Sequence, residues 1–160
     1  MMNFLEDIIK SKHIHIFGES GSGKTITAIY LLKLFNKIYN KRIIILNKNA
    51  DNTYYGLIEV DNLINIYATL SLSDLCKILI KTNIIPVVDC FDYSEIGYIN
   101  DFYKLITISN IDCNFNDALK LHTSSYNNKE YYLNYKDNIM NQDKLKNTNN
   151  LIRKIKLKNI

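Results

Sequence analysis

The chain has 160 residues, 47% of them hydrophobic and 22% charged. That is the size and balance of one soluble globular domain, able to bury a core without disulfides or metals. No apolar run nears the roughly 18 residues that a membrane helix needs, so no membrane partner is expected. The net charge of +4 is uneven: six basic residues and no acidic one lie between Lys144 and Ile160, which leaves residues 1–143 at −2.

The three cysteines, Cys76, Cys90 and Cys113, are odd in number and form no Cys-x-x-Cys pair. A disulfide framework or a zinc site is therefore not expected, and a reducing, cytoplasmic compartment is. The first ten residues lack the charged start and apolar block of a signal peptide. The histidines do not cluster with the cysteines; His13 and His15 read as packing or surface residues. The wealth of Ile, Asn, Lys and Tyr fits an AT-rich genome and carries no functional weight.

Residues 1–10 pattern as a short amphipathic helix with Phe4, Leu5, Ile8 and Ile9 on one side. His13–Phe17 reads as a strand that ends in a glycine-rich loop. Thr25–Tyr39 contains neither Gly nor Pro and repeats its apolar residues at helical spacing. Arg42–Leu46 is apolar on both faces, as a buried parallel strand is. A polar loop, Asn47–Asn52, follows. Ile64–Tyr67 is a candidate short strand, and Ser71 or Ser73 caps a helix through Lys81. Ile84–Val88 is a strong strand ending at Asp89, with Pro86 marking its start, because proline removes a ladder donor. Ser94–Phe102 reads as a helix and Lys104–Ser109 as a strand. Ala118–Ser124 and Glu130–Tyr135 read as strands joined at Asn127-Asn128.

The alternation of strands and helices predicts an α/β domain with a mainly parallel sheet flanked by helices and a C-terminal antiparallel hairpin. Its predicted extent is residues 1–138. Residues 139–160 form a basic tail, either disordered or a loose helix from Asn149.

The segment Gly18-Glu19-Ser20-Gly21-Ser22-Gly23-Lys24-Thr25 fits Gly-x-x-x-x-Gly-Lys-Thr, and each fixed position has a reason. Gly18 ends the strand and opens the turn. Gly23 lets the backbone approach a phosphate where a Cβ would collide. Successive N–H groups, through Ile26 at the start of the helix, wrap the anion. Lys24 supplies a charge for the β- and γ-phosphates, and the Thr25 hydroxyl is placed to ligate Mg²⁺. A nucleoside triphosphate, ATP with Mg²⁺, is the expected ligand. Asp89, after a buried apolar strand, is the candidate second magnesium contact at the sheet edge where open α/β sheets bind ligands; Asp92 is the backup. Lys24 and Asp89 are the candidate catalytic residues, and Thr25 and Asp89 the candidate metal contacts.

With the loop GESGSGKT at 18–25, the strands RIIIL at 42–46 and LITISN at 105–110, VVDC at 87–90 and the hairpin within 118–135, the chain resembles the RecA-type ATPases. It is most similar to their small RadB/KaiC-like recombinase-paralog branch. The resemblance implies that Gly23, Lys24 and Thr25 contact phosphate and magnesium, that Asp89 is the Walker B acid, and that Asn110 is a γ-phosphate sensor. The water-activating acid of that family falls here at Asn49, which cannot act as a base near neutral pH. Either Asp51 or Glu59 substitutes, or hydrolysis is slow.

The resulting expectation is a weak ATPase acting in DNA recombination or repair. Its basic tail would contact single-stranded DNA, with a recombinase or a further copy of the chain as partner. The alternatives are a small-molecule or nucleotide P-loop kinase, disfavoured by having only Arg42 and Arg153, and a degenerate ATP-binding assembly module. Tyr131 and Tyr132 alternate across a strand, so at most one serves any single surface.

Overall fold

In the computed structural model, the residues described are 2–39, 42–47, 63–67, 74, 77, 84–89, 104–113, 115, 117–127 and 129–145. They form helices α1 (Met2–Lys10) and α2 (Lys24–Tyr39), and strands β1 (His13–Phe17), β2 (Arg42–Asn47), β3 (Leu63–Tyr67), β4 (Ile84–Asp89), β5 (Leu105–Ser109), β6 (Leu119–Tyr126), β7 (Glu130–Tyr135) and β8 (Asn138–Asn141). A 3-10 turn, Gln142–Leu145, closes the series. Of the expected helix within 71–81 only Asp74 and Lys77 are described, both helical; the expected helix at 94–102, Asn49, Asp51, Glu59, Asp92 and residues 146–160 lie outside the described residues.

The strands make one eight-stranded sheet in the order β3-β2-β4-β5-β1-β6-β7-β8. Neighbours from β3 through β6 are parallel; β6–β7 and β7–β8 are antiparallel. This is the α/β class with a mainly parallel sheet that the strand pattern predicts. Pro86 is the third residue of β4 and not its start. β4 pairs with β5 only from Val87 onward, so on that side the missing N–H falls before the ladder begins.

β1, between β5 and β6 in the sheet, is buried on both faces: α2 covers Ile14 and Ile16, and Phe115 packs against His13 and His15. Its Ile14 and Ile16 join the core with Ala28, Leu31, Leu32 and Phe35 of α2 and Leu121 and Leu133 of the hairpin. Helix α1 adds Phe4, Leu5 and Ile8, spaced to fall on one face. Each such side chain stabilises the fold by about 1.5–3 kcal/mol.

α1 is fixed through its C-terminal half. Tyr135 and Lys136 donate to the Asp7 carboxylate, Lys136 at 2.8 Å. At the C-terminus, the Lys104 ammonium donates to the carbonyls of Ile8 (2.8 Å), Ile9 (3.1 Å) and Ser11 (2.6 Å). Lys104 is only 2% exposed and its ammonium lies 4.8 Å from the Phe35 ring centroid. A buried cation is tolerable there because the last carbonyls of a helix lack intrahelical donors and carry partial negative charge.

The ordered fold runs past residue 138, where the sequence places the start of the tail. Lys136 and Asp137 both have positive φ, 43° and 63°. That is the twist a two-residue hairpin turn requires. It returns the chain as β8, and Leu145 and Gln142 beyond it are buried.

Candidate functional site

The parallel strands deliver Phe17, Asn47, Asp89 and Ser109 to one edge of the sheet. β6 runs in the same direction and pairs Phe17 with His122, so its next residues rise beside the loop that leaves β1. There, a Cβ on Gly18 would lie 2.3 Å from the Thr123 carbonyl oxygen and 2.6 Å from its hydroxyl. The Ser22 and Thr123 hydroxyls are 2.6 Å apart, and Thr123 also donates to the Phe17 carbonyl at 3.2 Å. Ser22 is thus buried, its hydroxyl turned into the protein, while Glu19, Ser20 and Gly21 are exposed.

Gly23 has φ +89°, and a Cβ there would meet Gln142 and the Tyr131 ring at 2.9 Å. The Gln142 amide donates to the carbonyls of Ser22 (3.4 Å) and Tyr132 (3.3 Å), which ties the loop to β7 and the 3-10 turn. Thr27 N–H donates to the Gly23 carbonyl at 2.9 Å, the first bond of α2. The first turn of α2 has no acidic residue, so nothing there competes for the helix's positive end.

Lys24 folds back across the loop and donates to the carbonyls of Gly18 (2.8 Å) and Glu19 (2.7 Å). Lys24 and Thr25 are both half-buried. Ile26 is 37% exposed on the first turn.

Asp89 closes β4, only 7% exposed. It is level with Ile108 of β5, which is level with Ile16 of β1. One strand therefore separates the carboxylate from the phosphate-loop strand, a lateral gap of roughly 10 Å at ordinary strand spacing. A hydrated divalent ion and a phosphate oxygen fit such a gap. Hydroxyl and carboxylate oxygens are the donors that Mg²⁺ prefers, and the glycine cradle suits a polyphosphate, so Thr25 and Asp89 fit the expected group. Asn110, the expected sensor, follows β5 and is exposed.

On the opposite face of β1, His13 and His15 are buried, and the fold brings Cys113 against His15 although the two are far apart in sequence. His15 Nε2 lies 3.3 Å from both the Cys113 N–H and the Ile111 carbonyl. The Thr107 hydroxyl bridges the two rings, 2.9 Å from His15 Nδ1 and 2.8 Å from His13 Nε2. Burial pushes the His13 pKa down to about 4, with the charge of His15 adding to the shift. Burial also lowers that of His15, against the opposing pull of the Ile111 carbonyl and Asp112 and with help from Lys120. Both shifts favour the neutral form of the rings.

Thr123, Gln142 and Lys104 are the residues that sequence reasoning passes over. Thr123 leaves a trace, since it falls on the inward face of β6 in step with Leu121. Gln142 leaves none.

No protein-family profile matches the chain. It is 33% identical over 100 residues to NADH-ubiquinone oxidoreductase subunit 9 of Acanthamoeba castellanii; the alignment takes in 61% of this chain and 48% of that protein. The chain thus spans about half the length of the curated relative it matches. This match corrects the expected role as an ATPase in DNA recombination or repair, because the similar protein is a subunit of an oxidoreductase and not a recombination or repair protein. Among the described residues, no helix is long and apolar enough to cross a membrane.

Proposed function

We propose that the chain is a P-loop nucleotide-binding domain of RecA-like arrangement that holds the polyphosphate of ATP with Mg²⁺. The observation that carries this reading is the placement of Lys24. Its ammonium spans the loop, held by the Gly18 and Glu19 carbonyls, at the open end of a helix without acidic residues. These carbonyls hold the ammonium against the loop, where a charge-assisted bond to an incoming anion can form. The loop N–H groups and the α2 N-terminus add donors in the same concavity. Thr25 and Asp89 would hold the magnesium ion, which would draw charge from the phosphates when bound. The strand interposed between β1 and β4 leaves the room for that ion. Thermal denaturation tests the reading: Mg²⁺-ATP at a hundred times its Kd should add about 2.7 kcal/mol of stability, and an unchanged midpoint at millimolar ATP removes it.

A second reading rests on the oxidoreductase match alone. In it, the chain associates with an NADH-ubiquinone oxidoreductase assembly. Fractionation of the tagged full-length chain under conditions that keep that assembly intact decides it: co-migration supports association, and recovery only at the monomer position removes it.

A further inference from the structure

Gln142 is 2% exposed, and its amide meets the carbonyls of Ser22 (3.4 Å) and Tyr132 (3.3 Å). Carbonyl oxygens only accept, so the Nε2 end must face them. The Oε1 end is then buried without a hydrogen-bond partner. It lies against Gly23, where a Cβ would come within 2.9 Å of it. As a contribution to the fold this amide is close to neutral, because two long hydrogen bonds are set against one orphaned acceptor. An apolar side chain of the same length would fill the space without the orphan. It would not hold the Ser22 carbonyl.

That carbonyl belongs to the peptide that carries the Gly23 N–H. The chain has no cis peptide bond, and in a trans peptide the C=O and N–H point in opposite directions. Gln142 is buried beneath the loop, so a Ser22 carbonyl turned toward it sends the Gly23 N–H toward the open side. The Ser22 hydroxyl is held separately, 2.6 Å from that of Thr123. Ser22 is thus fixed through its side chain by β6 and through its carbonyl by Gln142. Gly23, at φ +89°, has the backbone freedom that lets the preceding peptide turn over. Without the amide, the same peptide can present a carbonyl to an incoming anion instead of an N–H.

We propose that Gln142 is a positioning residue for phosphate binding: by holding the Ser22 carbonyl inside the protein, it aims the Gly23 N–H at the phosphate. This rests on the reading of the phosphate loop. Gln142 touches no ligand itself, and its effect on affinity passes through the Ser22–Gly23 peptide.

Calorimetric titration of Mg²⁺-ATP into the wild type, Gln142→Met and Lys104→Met tests this. Methionine keeps the length of the Gln142 side chain and removes its donors. Lys104 acts at the end of α1, so Lys104→Met shows what lost stability alone does to affinity. Gln142→Met should melt near the wild-type temperature and bind about tenfold more weakly, the effect of one hydrogen bond to a charged group. Lys104→Met should keep its affinity. If the wild type binds and a folded Gln142→Met binds equally well, the positioning role is overturned and the phosphate loop stands. An equal loss in Lys104→Met overturns it too. No binding by the wild type removes the phosphate-loop reading and this one with it. Where Gln142→Met does not fold, nuclear magnetic resonance of the isotope-labelled wild type decides. Mg²⁺-ATP should move the Gly23 amide proton downfield, as a bond to phosphate does, and leave the Gln142 side-chain amide signals in place. Binding without a shift at Gly23 overturns the proposal.

Discussion

The Ser22 hydroxyl lies 2.6 Å from the Thr123 hydroxyl, and this contact joins the phosphate loop to a strand 101 residues further along the chain. The loop is consequently not a free surface segment. β6 sets its position, Gly18 permits the approach, and Gln142 closes it from the other side.

Thr123→Val keeps the shape of the side chain and removes the bond to Ser22. The buried Ser22 hydroxyl then loses its partner, so the fold should lose about 1–3 kcal/mol. Urea denaturation measures it. Retention of wild-type stability would show that β6 does not brace the loop.

Gly18→Ala and Gly21→Ala should behave differently, although both positions have positive φ. A Cβ at Gly18 meets strand backbone at 2.3 Å, whereas one at Gly21 meets nothing within 4 Å. Gly18→Ala should prevent folding to the native state. Gly21→Ala should cost only about 1 kcal/mol of backbone strain. Soluble yield and circular dichroism distinguish them, and equal behaviour contradicts the account.

Lys104→Met keeps the buried stem and removes the ammonium. Three carbonyls at the end of α1 lose their donor, each such bond to a charged group contributing about 1.5–3 kcal/mol. Solvation of some carbonyls by water will reduce the sum, so the expected loss is about 2–4 kcal/mol, with the greatest rise in hydrogen exchange in α1. A loss spread evenly over the sheet would argue against the capping role.

Stability should fall on acidification through the histidine window. His13 titrates at about 4 in the fold against 6.5 when unfolded, so the unfolded chain binds the proton more readily. The contribution is fully present above pH 6.5 and is lost as pH falls toward 4, with His15 acting in the same direction. The charged groups that act on His15 are Asp112 and Lys120. His13→Leu should flatten part of this slope in urea titrations at pH 7, 6 and 5. An unchanged slope assigns the acid sensitivity to other groups.

The elements that surround the loop were legible because their signals are local. Two faces of unbroken Ile and Val mark β2 and β4, and the glycine spacing marks the turn between β1 and α2. β8 was not legible, since Asn-Ile-Met-Asn has no strand pattern and its turn uses Lys136-Asp137 where Asn-Gly would be the usual signal. Within the site, Lys24, Thr25 and Asp89 could be named from their motif and strand end. Thr123, Gln142 and Lys104 act on partners more than ninety residues away in sequence, and a contact of that range has no local signature.

The central claim is that Lys24 and the loop around it bind the phosphates of ATP. Calorimetric titration of Mg²⁺-ATP into the wild-type chain and Lys24→Ala tests it most directly. The account predicts saturable one-to-one binding by the wild type and a loss of at least tenfold in Lys24→Ala, with both proteins melting at similar temperatures. Equal affinity in a folded Lys24→Ala, or no binding by the wild type, would contradict it.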